Sequence, residues 1–384
     1  MGFVDWRLIF YRNNRPLLEI AGVIMTLIED LPIFDGHNDA LQSIYLPKDG
    51  KPRPFFKRTD QGHTDLPRMR EGGYGGGFFA VFVPSGKPDD GFPGADKETG
   101  KADYELPMPP AIELTRAQSV TIKGVASLWR LEASSRGQIK VIRTADELVH
   151  ALHNKVIALV LHFEGAEAID SELDALHVFY QAGLRSLGLV WSRPNDFAHG
   201  VPFRFPHSPD TGPGLSEAGR DLVKTCNQLG IMIDLAHINE NGFWDTAGLT
   251  AAPLVVTHAG VHALCPSTRN LTDRQLDAVG ESGGVIGINF HVGFLREDGL
   301  LKAATPVSQI VRHIDYVAQR IGIEHVALGS DFDGAIMPLE LGDAAGMPKL
   351  VKCLRDNGYD DEALRKVTHE NWVRVLRKTW VEEA

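Results

Sequence analysis

A chain of 384 residues, 43% hydrophobic and 23% charged, is long enough to bury a large core and too apolar to stay disordered. Its net charge of −11 at pH 7 argues against a general nucleic-acid binder, which presents a basic stripe. The three cysteines, Cys226, Cys265 and Cys353, are scattered and form no C-x-x-C pair. That speaks against a disulfide framework or a thiolate zinc knuckle, and for a reducing, cytoplasmic setting.

Residues 1–30 read as an N-terminal extension. Its apolar stretch, 20–28, is bounded by Glu19 and by Glu29-Asp30 and is too short to span a bilayer. Arg7, Arg12 and Arg15 precede it as in a signal peptide, but no small-x-small cleavage site follows. Met1 and Met25 both stay open as the natural start. The C-terminus, 378–384, is polar and carries no lipid-anchor signal, so no membrane association is expected.

From residue 31 onward, eight apolar, β-rich runs recur: 33–37, 78–83, 156–163, 184–190, 231–235, 254–257, 285–290 and 326–328. Most are continuous rather than alternating, which suits strands buried on both faces of a parallel sheet. Helical segments separate most of them. Residues 145–153 follow Thr144 as N-cap, and 171–182 open on Ser171 with acids behind it. Residues 216–229 stop at Gly230, 272–279 stop at Gly280, and 306–321 begin at a proline and stop at Gly322. Residues 361–379 put Arg and Lys on one face and Leu, Val and Trp on the other. Between the second and third runs lie a long Pro- and Gly-rich loop, 84–110, and an extra helix at 111–133. Strand and helix alternating about eight times predict a single (β/α)8 barrel over 31–384, with a doubly wound sheet as the runner-up.

The chemistry gathers where the runs end. His37 and Asp39 close the first run and, two apart on an extended segment, project to one side. The third run ends in Glu164, on the same face as His162. A carboxylate leaving a purely apolar strand needs a positive partner, either a metal ion or an Arg or Lys. The fifth run leads to His237, the sixth to His258, and the eighth to Asp331 and Asp333. In a (β/α)8 barrel the C-terminal ends of the strands converge on one mouth. Imidazoles and carboxylates together suit a borderline divalent cation, and there are enough here for two ions sharing a bridging carboxylate.

These residues resemble the membrane dipeptidase (renal dipeptidase) family, within the metal-dependent amidohydrolase barrels. The likeness is carried by Asp35-Gly36-His37-Asn38-Asp39, Glu164-Gly165, Asp234-Leu235-Ala236-His237, Thr257-His258 and Gly329-Ser330-Asp331-Phe332-Asp333-Gly334. The segment from Thr64 through Asp65-Leu66-Pro67-Arg68 to Gly73 and Glu370-Asn371-Trp372-Val373-Arg374 match the family's pattern too. The resemblance implies two zinc ions per chain, held at the C-terminal ends of the strands by His37 and Asp39 on one side and His237 and His258 on the other. Glu164 bridges them in this reading, and the nucleophile is a hydroxide shared by the ions. Asp331 moves its proton to the leaving amine. Arg269 holds the C-terminal carboxylate of a dipeptide, with Asn270 beside it.

Two positions depart from the pattern. Trp191 stands where mammalian members carry a His that contacts the substrate carbonyl, with Arg193, Asn195 and His199 as stand-ins on the same loop. His291 replaces a common Tyr. The chain is thus similar to bacterial-type members, which often accept dipeptides with a C-terminal D-residue. The expected activity is metallo-dipeptidase. An amidohydrolase acting on an N-acyl amino acid or a lactam is the alternative, and a non-catalytic, metal-stabilised binding protein the lesser one. The expected partner is a small dipeptide, and a homodimer is left open.

Overall fold

The computed structural model describes residues 31–47, 50–85 and 103–380. The proposed extension at 1–30, with both candidate starts, lies outside the described residues, as does most of the loop predicted at 84–110.

All eight apolar runs are strands: β1 (Ile33–Asn38), β2 (Tyr74–Phe82), β3 (Ile157–Glu164), β4 (Leu184–Gly188), β5 (Met232–Asp234), β6 (Val255–Ala259), β7 (Val285–Ile288) and β8 (Val326–Leu328). They pair in chain order and in parallel throughout. The ring is closed between its ends by an isolated parallel bridge, Asn38 to Phe332. There the Asp39 N–H donates to the Phe332 carbonyl (2.8 Å) and the Asp331 N–H to that of His37 (2.9 Å). The fold is therefore the (β/α)8 barrel, and the doubly wound alternative falls away.

Alternation along the strands splits the core in two. Residues such as Ile33, Phe79, Leu159, Leu161, Val256 and Ile286 join the larger cluster with the surrounding helices. Phe34, Phe78, Val160, Met232, Val255 and Ala327 join a second cluster with Trp372. Trp372, fully buried, donates from its indole N–H to the Leu328 carbonyl and sits under Gly36, where a Cβ would come within 2.6 Å of the indole. The C-terminal helix thus plugs the floor of the barrel.

β2 starts four residues before the predicted 78. The run Gly75-Gly76-Gly77 belongs to the strand, because the backbones crowd together. A Cβ on Gly76 would lie 2.2 Å from the Ala158 carbonyl oxygen on β3.

Several helix ends differ from expectation. The helix predicted from Ser171 starts at Asp174, because the Asp170 carboxylate, not Ser171, accepts from the N–H groups of Asp174 and Ala175. Thr272 does cap its helix, in a capping box with Gln275. The single helix predicted at 361–379 is Asp361–Arg365 and Asn371–Thr379 joined by a π turn, Lys366–Glu370. The extra helix spans Leu114–Ser134. Just before it, Tyr104–Glu105 pairs antiparallel with Arg204–Phe205. Among the described residues no helix is long and apolar enough to cross a membrane.

Candidate metal centre

Each strand end delivers its predicted group to one point. A register shift in β1 between Asp35 and Asn38 turns His37 toward the mouth, with Nε2 3.4 Å from Asp39 Oδ2. Glu164 stands in the middle. Its Oε1 is 3.1 Å from His237 Nε2 and 3.9 Å from His258 Nε2, and its Oε2 is 3.8 Å from His37 Nε2. The two Nε2 atoms of His237 and His258 are 3.1 Å apart. Three overlapping triads each bring their donor atoms within 4.8 Å: His37, Asp39 and Glu164; Glu164, His237 and His258; and His37, His258 and Asp331. Glu164 belongs to two of them.

The donor set fits divalent cations. His37 is fully buried, and neither ring nitrogen has a hydrogen-bond partner. A buried, unsatisfied polar atom costs about 1–3 kcal/mol, which a coordinated ion would remove. Burial holds His237 and His258 well below the usual imidazole pKa, so both are neutral, the form that ligates. Burial pushes Glu164 well up and Asp331 to about 6. His37 is held at about 10: burial lowers it, but Glu164, Asp39 and Asp331 together outweigh burial. Left to themselves the carboxylates and His37 share protons, and bound cations would displace them.

Groups behind the candidate ligands hold their orientation. Ser192 Oγ meets His237 Nδ1 at 2.9 Å, and Thr257 Oγ1 meets His258 Nδ1 at 2.8 Å. Asn289 donates to Asp331 Oδ2 at 2.9 Å. Asp333 does not enter the cluster. It takes both terminal guanidinium nitrogens of Arg53, at 2.9 and 2.7 Å, together with the Thr64 hydroxyl, and so ties the loop after β1 to the mouth. His237, Asp331 and Asp333 have φ of 66°, 61° and 70°. The left-handed region costs an ordinary residue about 1–2 kcal/mol, so the surrounding fold enforces these three conformations.

Arg269 is buried at 3% exposure, with one terminal nitrogen on the His258 carbonyl (3.1 Å), its guanidinium 5.4 Å from the Phe294 ring, and Nε without a partner. Burial lowers its pKa to about 10, while Asp331 and Glu164 pull it back up. It is a buried cation beside the cluster with a donor to spare. Asn270, expected beside it on substrate, is instead committed to the backbone. It accepts from the Gly260 N–H and donates to the carbonyls of Cys265 and Phe294, which leaves its amide no free donor.

Trp191 packs between Phe82 (5.0 Å) and Phe203 (5.6 Å) and lies 5.8 Å from the His237 ring, so it walls the site rather than polarising a carbonyl. Arg193 cannot stand in for the missing His. It is fully buried behind Trp191, donating to Glu167, the Ser85 hydroxyl and the Val83 carbonyl. Asn195 likewise closes a local turn, bonded to Leu189, Phe197 and Ala198. His199 is half-buried on the same loop. His291 is buried with Nδ1 accepting from the Ile336 N–H, which couples the β7 and β8 loops.

The sequence reading gives no role to Ser192 or Asn289: Ser192 is a lone polar residue in a loop, and Asn289 is a polar residue within the run 285–290. Asp234 and Ser186 are likewise polar residues, each inside an apolar strand.

Comparison with known proteins gives the family. The family model described as Membrane dipeptidase (Peptidase family M19) matches residues 23–383. A metallo peptidase from Rhodobacter sphaeroides, whose crystal structure holds a phosphinate mimic of the dipeptide L-Ala-D-Ala, is similar with a TM-score of 0.87 and 49% identity, over 91% of this chain and 99% of its own. An uncharacterized protein in the pqqA 5′ region of Klebsiella pneumoniae is 50% identical over 256 residues, 67% of this chain and 94% of its own length. Dipeptidase tcpJ of Claviceps purpurea is 28% identical, over 90% of this chain and 76% of its own. The chain belongs to the membrane dipeptidase family, peptidase family M19, and is a metallo-dipeptidase of the bacterial type.

Proposed function

We propose that this chain hydrolyses free dipeptides, including those with a C-terminal D-residue, with two zinc ions held by His37, Asp39, Glu164, His237 and His258. Glu164 is the shared ligand in this reading, since its two oxygens face opposite halves of the cluster. Two divalent cations at such a site supply an activated water and polarise the scissile carbonyl. Asp331, its Oδ2 steadied by Asn289, carries the proton from that water to the leaving amine nitrogen.

The observation that carries the dipeptide reading is Arg269. A buried guanidinium with an unpartnered Nε beside the cluster is a receptor for a carboxylate close to the cleaved bond. It favours substrates that end one residue beyond that bond. The bound L-Ala-D-Ala mimic in the Rhodobacter sphaeroides relative supports a D-residue on that side. The cytoplasmic assignment rests on three cysteines that are all free.

The test is elemental analysis together with a panel of L,L- and L,D-dipeptides, their N-acetyl forms and tripeptides. The expected result is two zinc ions per chain, activity lost on chelation and restored by zinc, and cleavage of free dipeptides of both kinds. Full activity in metal-free protein would end the metal reading. Equal turnover of N-acetylated substrates would favour an amidohydrolase of N-acyl amino acids instead.

A further inference from the structure

Inside the barrel, one layer below the ligands, His162, Ser186, Asp234 and Thr257 form a buried polar cluster. Asp234 is its hub. Oδ1 accepts from the N–H groups of Thr257 (2.8 Å) and Ala236 (2.9 Å), and Oδ2 accepts from the Thr257 hydroxyl (2.6 Å). The other polar group facing it, His162, has Nε2 at 3.6 Å from Oδ2 and its Nδ1 on the Ser186 hydroxyl.

A hydroxyl carries one proton. Thr257 gives its proton to the carboxylate, so toward His258 Nδ1, 2.8 Å away, it presents only lone pairs. The contact is a hydrogen bond only if His258 carries its proton on Nδ1. Nε2 then has a lone pair, aimed at Glu164 and His237. We infer that Asp234 and Thr257 are a positioning pair that fixes the tautomer of His258 and so pre-forms its Nε2 as a metal ligand, an inference that rests on the metal reading above.

His237 differs. Its Nδ1 meets the Ser192 hydroxyl, and among the described residues no hydrogen bond runs from that hydroxyl to a carboxylate. One imidazole of the pair is therefore set by the fold, and the other is free to follow its surroundings. A group behind a ligand that fixes its tautomer typically contributes 10–100-fold in metal affinity.

The inference is tested on the full chain. Histidine 15N NMR of the metal-free protein should show His258 as the Nδ1–H tautomer, the opposite of the Nε2–H form that a free neutral histidine side chain favours in water. Thr257→Val should release that preference and weaken divalent-ion affinity by about 10–100-fold in a chelator competition. Thr257→Ser, which keeps the hydroxyl, should restore both, and the metal-free melting temperature of Thr257→Ser should match that of the wild type. An Nε2–H tautomer in the wild type, or wild-type ion affinity in Thr257→Val, overturns the proposal. If Thr257→Val does not fold, the wild-type spectrum decides alone. A wild-type protein that takes up no divalent ion would end the metal reading, while the tautomer measurement still decides this one.

Discussion

At the floor of the barrel Phe34, Phe78 and Trp372 meet ring to ring, with centroids 5.3 to 6.5 Å apart and no exposure. Three residues further along β1 stands His37, and four beyond Val160 on β3 stands Glu164. Floor and mouth are both largely buried, yet they are opposite in kind. The floor is satisfied by contact alone. The mouth gathers three carboxylates, three imidazoles and left-handed backbone at His237 and Asp331, a combination that disfavours folding until something positive binds. The same sheet therefore provides stability at one end and spends some of it at the other, with a few residues of strand between.

Glu164→Gln should break the comparison at the mouth with the largest effect. A neutral amide cannot balance two cations, so both should be lost together, and kcat/KM should fall by about 10⁴-fold, roughly 5 kcal/mol of transition-state stabilisation. Because burial, helped by Asp39 and Asp331, outweighs His37 and disfavours the Glu164 charge, the metal-free variant should be at least as stable as the metal-free wild type in urea. Two tightly bound ions in the variant would show that Glu164 is not shared. Trp372→Ala should do the reverse. Emptying the floor should cost about 3–5 kcal/mol of stability in denaturant melts. Ion stoichiometry of the folded fraction should stay unchanged. Loss of the ions in the folded protein would mean that floor and mouth are not separable.

The same contrast explains what the sequence shows and hides. Apolar runs reveal the floor and the outer layer because burial on both faces leaves few polar residues within them. β2 is the exception, since its glycines answer to backbone crowding that no local pattern reveals. The candidate ligands His37, Asp39, Glu164, His237 and His258 are legible because each ends such a run. The groups behind them are not: Ser192 and Asn289 matter only through partners 45 and 42 residues away. Asn270 shows the converse error. Its position beside Arg269 suggested a ligand contact, but its amide is used up by three backbone groups that only the fold brings near. Arg193 was likewise a candidate on a mouth loop, and the fold buries it behind Trp191 against Glu167. The helix at Glu240–Leu249 was missed because Gly242 and Gly248 weaken its pattern, although Asn239 caps it.

Arg269 sharpens the comparison by the smallest step, because it is a buried charge at the mouth with its compensation incomplete. Its His258 carbonyl contact and the Phe294 ring hold the guanidinium in place, while Nε waits for an acceptor. If a substrate carboxylate is that acceptor, Arg269→Met should lower kcat/KM for free dipeptides by about 2–5 kcal/mol, a factor of roughly thirty to several thousand. The Met side chain keeps bulk against Phe294 and removes the charge, so the packing loss is small. Dipeptides amidated at the C-terminus never make the contact and should lose little. Crossing the two proteins with the two substrates isolates the carboxylate term, as in a double-mutant cycle. Equal losses on acid and amide would make Arg269 a structural cation, part of the same framework as Arg193, and would remove the main argument for cleavage one residue from the C-terminus.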